Sequence, residues 1–426
     1  MSSVRTSWPH PGRTRAGTAS GFRAAYAGPR RPDAGPGRFV GRLCGNGHRH
    51  GRAEDDAGST RPARRGGPVT AVGGTGSGLR VVVVGATGNV GTSLVEALSG
   101  DPAVGTIVGV ARRRPRWRVP KTEWIEADIV ESDLAEIFDG ADVVVHLAWL
   151  FQPTHQPLTT WRVNVVGGRR VFAAVARAGV RAFVYASSVG AYSPGPKDRP
   201  VDEGWPTDGW PVAGYTREKA YLERALDAFE QQQPHVRVVR FRPGFIFKRE
   251  AASQQRRLFA GPLLPGRLVR PGIVPVVPDL PGLRFQALHA ADAAEAYRLA
   301  VVRDVRGAFN LAAEPVVDAR LLADCLRART VRLPAGPVRA VLAAAWHLHL
   351  VPAAPHLLDA VFRIPVMDTS RAERELGWSP RHSAREAIEE FLDGLRATAG
   401  LPTAPLASRP GGGRLAEVAT GVGERP

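Results

Sequence analysis

Three residues near the middle of the chain have the types and spacing of an acid–base set. The apolar run in "FVYASSVGAYS" ends at Ser187 and Ser188, and "YTREK" follows, with Tyr215 twenty-seven residues after Ser188 and Lys219 four residues further on. Residues four apart share a helix face. A tyrosine hydroxyl, with an ordinary pKa of about 10, is a poor base near neutrality. A neighbouring ammonium favours the phenolate and lowers that value. A serine hydroxyl beside the pair can hold a substrate oxygen while the tyrosine exchanges its proton. Lysine is scarce here, since only Lys121, Lys197, Lys219 and Lys248 stand among the 57 basic residues. Taken alone, "YTREK" is equally well a solvated first helical turn, so the rest of the chain has to decide.

The second cluster is "VVVVGATGNVG", which places Gly85, Gly88 and Gly91 in a G-x-x-G-x-x-G spacing between a β-branched run and a helical one. A dinucleotide site needs such a turn. The first glycine makes it tight, the second admits a pyrophosphate to the backbone, and the third brings helix and strand together, with the helix N-terminus facing the anion.

The elements that would carry these residues alternate. "RVVVVG", "TIVGVA", "WIEAD", "DVVVHLAW", "RAFVYASS" and "VRVVRF" read as strands, buried on both faces where the apolar run is continuous. Helical spacing falls between them: after Gly88, in "SDLAEIFDG" with Ser132 as N-cap, over 160–178 with Gly179 past the end, and over 215–232. Alternation of this kind means βαβ units. The fold expected is α/β, a Rossmann-type doubly wound parallel sheet with a smaller C-terminal substrate-binding part. After Pro243 the chain turns Pro- and Gly-rich and reads as loops, with helices returning over 291–302, 317–327, 337–349 and 384–395. The division expected is a basic unstructured segment over 1–78, a dinucleotide-binding domain over 79–245, a mainly substrate-binding part over 246–397 interleaved with it, and an unstructured tail over 398–426.

The glycine spacing resembles that of the extended short-chain dehydrogenase/reductase superfamily, in its branch of NAD(P)-dependent epimerases and dehydratases. The resemblance runs from about residue 80 to 395. It implies Ser188, rather than Ser187, Tyr215 and Lys219 as catalytic residues. Lys219 would also reach the nicotinamide ribose. It implies cofactor contacts at Gly85, Thr87, Gly88, Asn89, Val90 and Gly91, at Asp128 and Ile129 in "EADI", and at Leu147 and Ala148 in "HLAW". Pro243 in "RFRPGFIF" would lie at the nicotinamide end, and Asn164 in "NVVGG" would support the active-site backbone. "RFQALHAADAAEAY", with His289 and Asp292, resembles a segment that organises the substrate domain. The ribose-binding acid expected after the second strand is missing, and Arg112 and Arg113 in "GVARRR" stand there instead. NADP is therefore the preferred cofactor and NAD the alternative.

The reaction is less defined. An Asp–Glu pair follows the active-site serine or threonine in sugar-nucleotide dehydratases; Val189 and Gly190 stand here. "RPGFIFKRE" departs from the "RPxNVYGP" of many sugar-nucleotide epimerases. Trp149, Phe151, Trp205 and Trp210 fall in loops expected to border the cleft. An oxidoreductase acting on an alcohol or carbonyl is the first reading. A sugar-nucleotide epimerase and a dinucleotide-binding protein without turnover are the alternatives.

Bulk composition bounds the partners. The net charge of +17 is uneven, because residues 1–78 hold thirteen Arg against Asp33, Glu54, Asp55 and Asp56. The excess belongs to one segment and is not read as a nucleic-acid site. Cys44 and Cys325 are too few for a disulfide framework or a cysteine metal site. The most membrane-like run, "AVLAAAWHLHLVPAAP", is broken by His347, His349 and prolines and falls short of the ~18 apolar residues of a span. The expectations are a cytoplasmic protein with a small-molecule substrate, no metal and no membrane partner, and a homodimer through the helices over 160–178 and 215–232.

Overall fold

Val81 and Val83 pack on one side of their strand, with Leu94, Leu98 and Tyr297, while Val82 and Val84 pack on the other, with Val171, Val175, Leu222 and Leu226. A run of four β-branched residues buried at every position is what a central parallel strand between two helical layers requires. This is a computed structural model, and it describes residues 78–261 and 266–408. The expectations for the basic segment before Gly78 and for the chain after Ser408 lie outside those residues.

The strands in chain order are β1 (Leu79–Val84), β2 (Val104–Ala111), β3 (Thr122–Glu126), β4 (Val143–His146), β5 (Ala182–Ala186), β6 (Pro200–Val201), β7 (Arg237–Pro243), β8 (Phe245–Phe247), β9 (Val276–Asp279), β10 (Phe285–His289), β11 (Gly307–Leu311), β12 (Ala313–Val317), β13 (Arg329–Arg332) and β14 (Val366–Met367). The α-helices are α1 (Asn89–Ser99), α2 (Leu134–Phe138), α3 (Pro157–Trp161), α4 (Gly167–Arg177), α5 (Gly214–Gln232), α6 (Ala252–Gln255), α7 (Ala290–Val302), α8 (Ala319–Leu326), α9 (Ala335–His347), α10 (Pro355–Val361) and α11 (Ala384–Ala397). Seven strands form one sheet in the order β11-β7-β5-β4-β1-β2-β3, every pairing parallel. This is the doubly wound α/β architecture expected, with β1 at the point where the strand order reverses. The smaller sheets β12-β10-β8, β13-β9 and β14-β6 come mainly from the chain after Pro243, although β11 returns to the main sheet.

Four details differ from the sequence reading. The helix expected over 160–178 begins at Pro157 and passes through a π-helical turn, Arg162–Val166, before α4. Asp133, not Ser132, caps α2, because its carboxylate accepts from the Ala135 N–H at 3.1 Å; the Ser132 hydroxyl instead accepts from the Asp128 N–H. Within the Pro-rich stretch Val276–Asp279 forms a strand, paired with β13. Order continues past Ala397, where Leu406 is fully buried and the buried Thr403 donates to the Thr87 carbonyl at 3.0 Å. The Arg257 guanidinium also donates to the Pro405 and Ala407 carbonyls at 2.8 Å, and such long-range anchors seat a segment that composition alone reads as unstructured.

Candidate active site

The parallel register aligns the ends of three strands. Val84 pairs with His146, and His146 with Tyr185, so Gly85 and Leu147 leave the sheet level with Ala186, the last residue of β5, and Ser187 and Ser188 follow along the same edge. In an open parallel sheet that carboxyl edge, at the switch point, is where ligands bind.

The turn after β1 is built as a cradle. Gly85 has φ +88°, and a Cβ there would lie 2.7 Å from the Ala148 nitrogen. A Cβ on Gly91 would lie 2.3 Å from the Gly85 carbonyl oxygen, so the start of α1 sits directly on the turn. Gly88 differs, since a Cβ there would meet nothing closer than 3.5 Å. It caps α1 without a side-chain partner, and the first turn of the helix holds no acid. The N-terminal N–H groups are thereby left to an anion approaching from outside. These features fit a dinucleotide pyrophosphate. Asn89 is oriented by a 3.0 Å bond from its Nδ2 to the Ile246 carbonyl.

The other expected contacts lie along the same edge. The Gly85 N–H donates to the Val110 carbonyl at 2.9 Å, which sets the end of β2 beside the turn, and the exposed Arg112 and Arg113 follow Ala111. The Leu147 N–H donates to the Val84 carbonyl at 2.8 Å. Asp128 follows β3, and its Oδ1 accepts from the Val130 N–H at 2.8 Å. Ile129 is buried against Gly167. Pro243 closes β7, where the next N–H, of Gly244, donates to the Leu311 carbonyl at 2.9 Å.

Ser188 and Tyr215 meet. The Tyr215 hydroxyl donates to Ser188 Oγ at 2.8 Å, and the Gly190 N–H donates to the same oxygen at 2.9 Å. Ser188 Oγ thus accepts twice, and its own proton is left to give to a third oxygen. Gly190 is needed here, because a Cβ at that position would lie 2.7 Å from the Tyr215 ring. Of the two residues after Ser188, Gly190 is the one that makes room for the tyrosine.

Lys219 stands one turn beyond Tyr215, but its ammonium donates to the Ala186 carbonyl at 2.7 Å and lies 3.6 Å from the centroid of the Trp149 ring. Burial pulls its pKa down to about 7, opposed by Glu223 and Glu218. Burial pushes the Tyr215 phenol up to about 12, which the Ser188 hydrogen bond partly offsets and the Glu218 carboxylate adds to. The lowering of the phenol by Lys219 expected from the sequence is not found: burial, the Ser188 hydrogen bond and Glu218 are what shift Tyr215. His146, buried at the end of β4, is held neutral with a pKa near 3 by burial and by Lys219.

Asn164 supports the loop after β4. Its side chain accepts from the Leu150 N–H at 2.7 Å, donates to the Leu150 carbonyl at 2.8 Å, and donates to Glu218 Oε2 at 2.7 Å. That loop carries Phe151, stacked on Tyr215 at 5.2 Å, and Trp149, edge-on to it at 5.5 Å. Of the four aromatic loop residues, these two meet the tyrosine. Trp205 instead bonds the Ser193 carbonyl, and Trp210 lies under Arg363. His289 caps α7 through a 3.2 Å bond accepted from the Ala291 N–H and faces Glu390, while Asp292 accepts from His382.

Sequence reasoning missed Glu218 and Glu223. Glu218 is buried, holding Thr160 at 2.6 Å and Asn164. Glu223 is fully buried and accepts from Ser187, Arg240 and Arg242 at 2.5–2.9 Å. Burial alone would raise its pKa, but Arg242, Arg240 and Ser187 bring it down to about 2. The one local signal was spacing: Glu223 lies four residues after Lys219 on the same face of α5, which does not by itself separate a site carboxylate from a solvated helix face.

Comparison with known proteins follows the same lines. The family described as "NAD dependent epimerase/dehydratase family" matches residues 81–312. An uncharacterised protein of Mycobacterium tuberculosis is 26% identical over 345 residues, covering 75% of this chain and 84% of that protein. An uncharacterised protein of Sinorhizobium fredii is 26% identical over 298 residues, covering 66% and 70%. Among solved structures, UDP-glucose 4-epimerase from Thermus thermophilus in complex with NAD has a TM-score of 0.56 at 20% identity, covering 75% of this chain and 99% of that one. UDP-N-acetylglucosamine 4-epimerase from Bacillus cereus has a TM-score of 0.53 at 17% identity, covering 74% and 95%. At these identities the likeness to both structures is one of fold.

Proposed function

Because the chain belongs to the NAD dependent epimerase/dehydratase family, we propose that it is an NAD(P)-dependent oxidoreductase moving a hydride to or from the carbon of a small alcohol or carbonyl compound. The observation that carries this reading is the Tyr215 hydroxyl at 2.8 Å from Ser188 Oγ, on the sheet edge that also carries the glycine cradle. A bound nicotinamide supplies or accepts the hydride. The chain's own groups do the rest. Ser188, whose oxygen already accepts two hydrogen bonds, donates its proton to the substrate oxygen. Tyr215 gives a proton to that oxygen during reduction or takes it during oxidation. Lys219, four residues on, binds the ribose hydroxyls and supplies positive charge near the phenol. Trp149 and Phe151 close over Tyr215 and exclude water.

The cradle 85–91, Asp128, Ile129, Leu147, Ala148, Asn164 and Pro243 are the cofactor side of this proposal, and residues 246–397 the main substrate side. NADP is the preferred form, since Arg112 and Arg113 stand where an acid would hold the ribose 2′-hydroxyl. A homodimer through the helices over 160–178 and 215–232 belongs to the same proposal, and the exposed Tyr221 is what supports it.

Fluorescence titration with NADPH and NADH, after releasing any cofactor carried through purification, tests the reading. The expected result is tighter NADPH binding that weakens about tenfold in Arg112→Ala, with NADH unchanged. Equal or better NADH binding and a silent Arg112→Ala overturn the NADP preference. Copurified NAD(H) moves an epimerase, which oxidises and re-reduces its substrate on one retained cofactor, ahead of the oxidoreductase.

A further inference from the structure

The loop that carries Phe151 onto Tyr215 is tied at both ends. Asn164 holds Leu150 at its start. At its far end, Gln152 to His155 are bound by the end of α9 and the turn after it. The buried Gln152 donates from Nε2 to the Leu258 carbonyl at 2.6 Å and to the Pro352 carbonyl at 3.3 Å, and its Oε1 accepts from the Thr154 N–H at 3.0 Å. Leu258 precedes Phe259, whose ring meets Phe151 edge-on at 5.6 Å. Thr154 Oγ1 donates to the Pro352 carbonyl at 2.7 Å and accepts from the Trp346 indole at 2.9 Å. Trp346 belongs to α9, none of whose residues is buried. That helix ends in a Schellman turn. The Leu350 N–H donates to the Ala345 carbonyl at 2.8 Å, the His349 N–H donates to the Trp346 carbonyl at 2.9 Å, and His349 takes the left-handed conformation at φ +56°. The half-buried His155 lies against two rings of this turn, Trp346 at 4.0 Å and 6° and His349 at 4.1 Å and 21°. Trp346 and His349 make no ring contact with each other, so they take opposite faces of the imidazole. The His155 Nε2 is buried without a hydrogen-bond partner among the described residues.

We propose that Trp346, His155 and His349 are positioning residues for the active site, a latch that holds Phe151 on Tyr215 while the histidines are neutral and releases it when both are protonated. The proposal rests on the reading of Tyr215 as the acid–base group. The stack suits uncharged rings. The charged groups that act on His155 are His349 and His347, both at the end of α9 and both cations when protonated, and His155 pairs with no acid among the described residues. One imidazolium can rest on the Trp346 face. Two of them stacked at 4.1 Å repel, and a protonated His155 places an N–H where it has no acceptor. Burial, His349 and His347 hold the His155 pKa below the ordinary 6.5. A histidine with a lower pKa in the latched form than in the released one stabilises the latch fully above the released pKa of about 6.5 and loses that contribution as pH falls below it. Release uncovers the phenol and admits water to it.

Hydroxyl-radical footprinting of the full-length protein at pH 7.5 and pH 5.0, read by peptide mass spectrometry, tests it without substrate or cofactor. Oxidation of Tyr215 is compared with that of the exposed Tyr221 and the fully buried Tyr185. In the wild type the Tyr215 signal, relative to Tyr221, should rise by about threefold or more at pH 5.0 while Tyr185 stays protected. His155→Phe keeps a flat ring between Trp346 and His349 and cannot take a proton, so Tyr215 should stay protected at pH 5.0. Trp346→Ala should expose Tyr215 at both pH values. A wild-type Tyr215 indifferent to pH, a rise that persists in His155→Phe, or protection retained in Trp346→Ala overturns the latch. A rise that Tyr185 shares is unfolding and overturns it too. The His155→Phe comparison decides the matter alone if Trp346→Ala does not fold. Failure of the catalytic reading shows elsewhere, as turnover retained in Tyr215→Phe, so the two can fail separately.

Discussion

The Lys219 ammonium lies over the face of the Trp149 ring, 3.6 Å from its centroid. Two effects of that ring oppose each other. As a cation–π partner it favours the charged lysine by roughly 0.5–2 kcal/mol. As a cover it removes water and favours the neutral form. The fall of the Lys219 pKa from 10.5 to about 7 corresponds to about 5 kcal/mol from burial as a whole, and if the ring's share of that exceeds its cation–π attraction, its cover dominates. Trp149→Ala should then raise the pKa. Labelling of Lys219 with an amine-acylating reagent across pH, read by peptide mass spectrometry, should show its midpoint moving upward, and a downward move would make the cation–π contact dominant.

Tyr215→Phe removes the hydroxyl proposed to transfer the proton and keeps the ring that stacks on Phe151. Turnover should fall roughly 10²–10⁴-fold, with the cofactor dissociation constant within about threefold of wild type. Unchanged turnover would remove Tyr215 from the chemistry. Ser188→Ala tests the pairing from the other side. The serine hydrogen bond lowers the Tyr215 pKa against burial, so its loss should move any alkaline limb of the rate profile to higher pH. A shift to lower pH contradicts the assigned sign.

What could be read from the sequence follows from the range of the interaction. The glycine turn was legible because three backbone constraints are met within seven consecutive residues, and the central strand because four adjacent valines are buried on both faces. The Ser188–Tyr215 contact was legible as an order of motifs, but its geometry depends on the register of β5 with β4 and β7. Glu223 was not legible as a site residue. Its partners Arg240 and Arg242 come from β7, and only tertiary folding makes a buried carboxylate with two arginines out of what reads locally as a solvated helix face. The partition of the aromatic residues was hidden for the same reason. Trp149 and Trp210 are both loop tryptophans in sequence, and Asn164's grip on Leu150 decides that the first loop lies against Tyr215.

Glu223→Gln should destabilise the protein markedly. It removes the charge that Arg240 and Arg242 share in the interior, and breaking a buried pair typically costs about 3–5 kcal/mol. The pH dependence has a definite sign. The folded pKa of Glu223, about 2, lies below its ordinary value of 4.5. Its contribution, of order 3 kcal/mol, is therefore complete above the ordinary carboxylate pKa and lost as pH falls toward 2. Urea midpoints measured between pH 6 and pH 3 should drop less steeply in the Gln variant than in wild type. Glu223 also raises the Lys219 pKa, so the labelling midpoint of Lys219 should move downward in the same variant, and an unmoved midpoint would uncouple the network from the site.

Residues 398–408 reach back to the glycine turn. Thr403 Oγ1 donates to the Thr87 carbonyl at 3.0 Å, Leu406 is fully buried, and the Arg257 guanidinium donates to the Pro405 and Ala407 carbonyls at 2.8 Å. The segment thus fixes the Thr87 carbonyl in the turn proposed to present N–H groups to a pyrophosphate, and an ordered turn loses less entropy on binding than a loose one. Thr403→Val keeps the shape and deletes the bond. It should weaken dinucleotide binding several-fold while lowering stability by only about 1 kcal/mol. Leu406→Ala should do the reverse in proportion, costing about 2–5 kcal/mol of stability as a cavity-forming change. Calorimetric titration of cofactor beside thermal melting of both variants separates the two effects. If Thr403→Val binds cofactor as wild type does, the segment is a structural anchor with no hold on the phosphate turn.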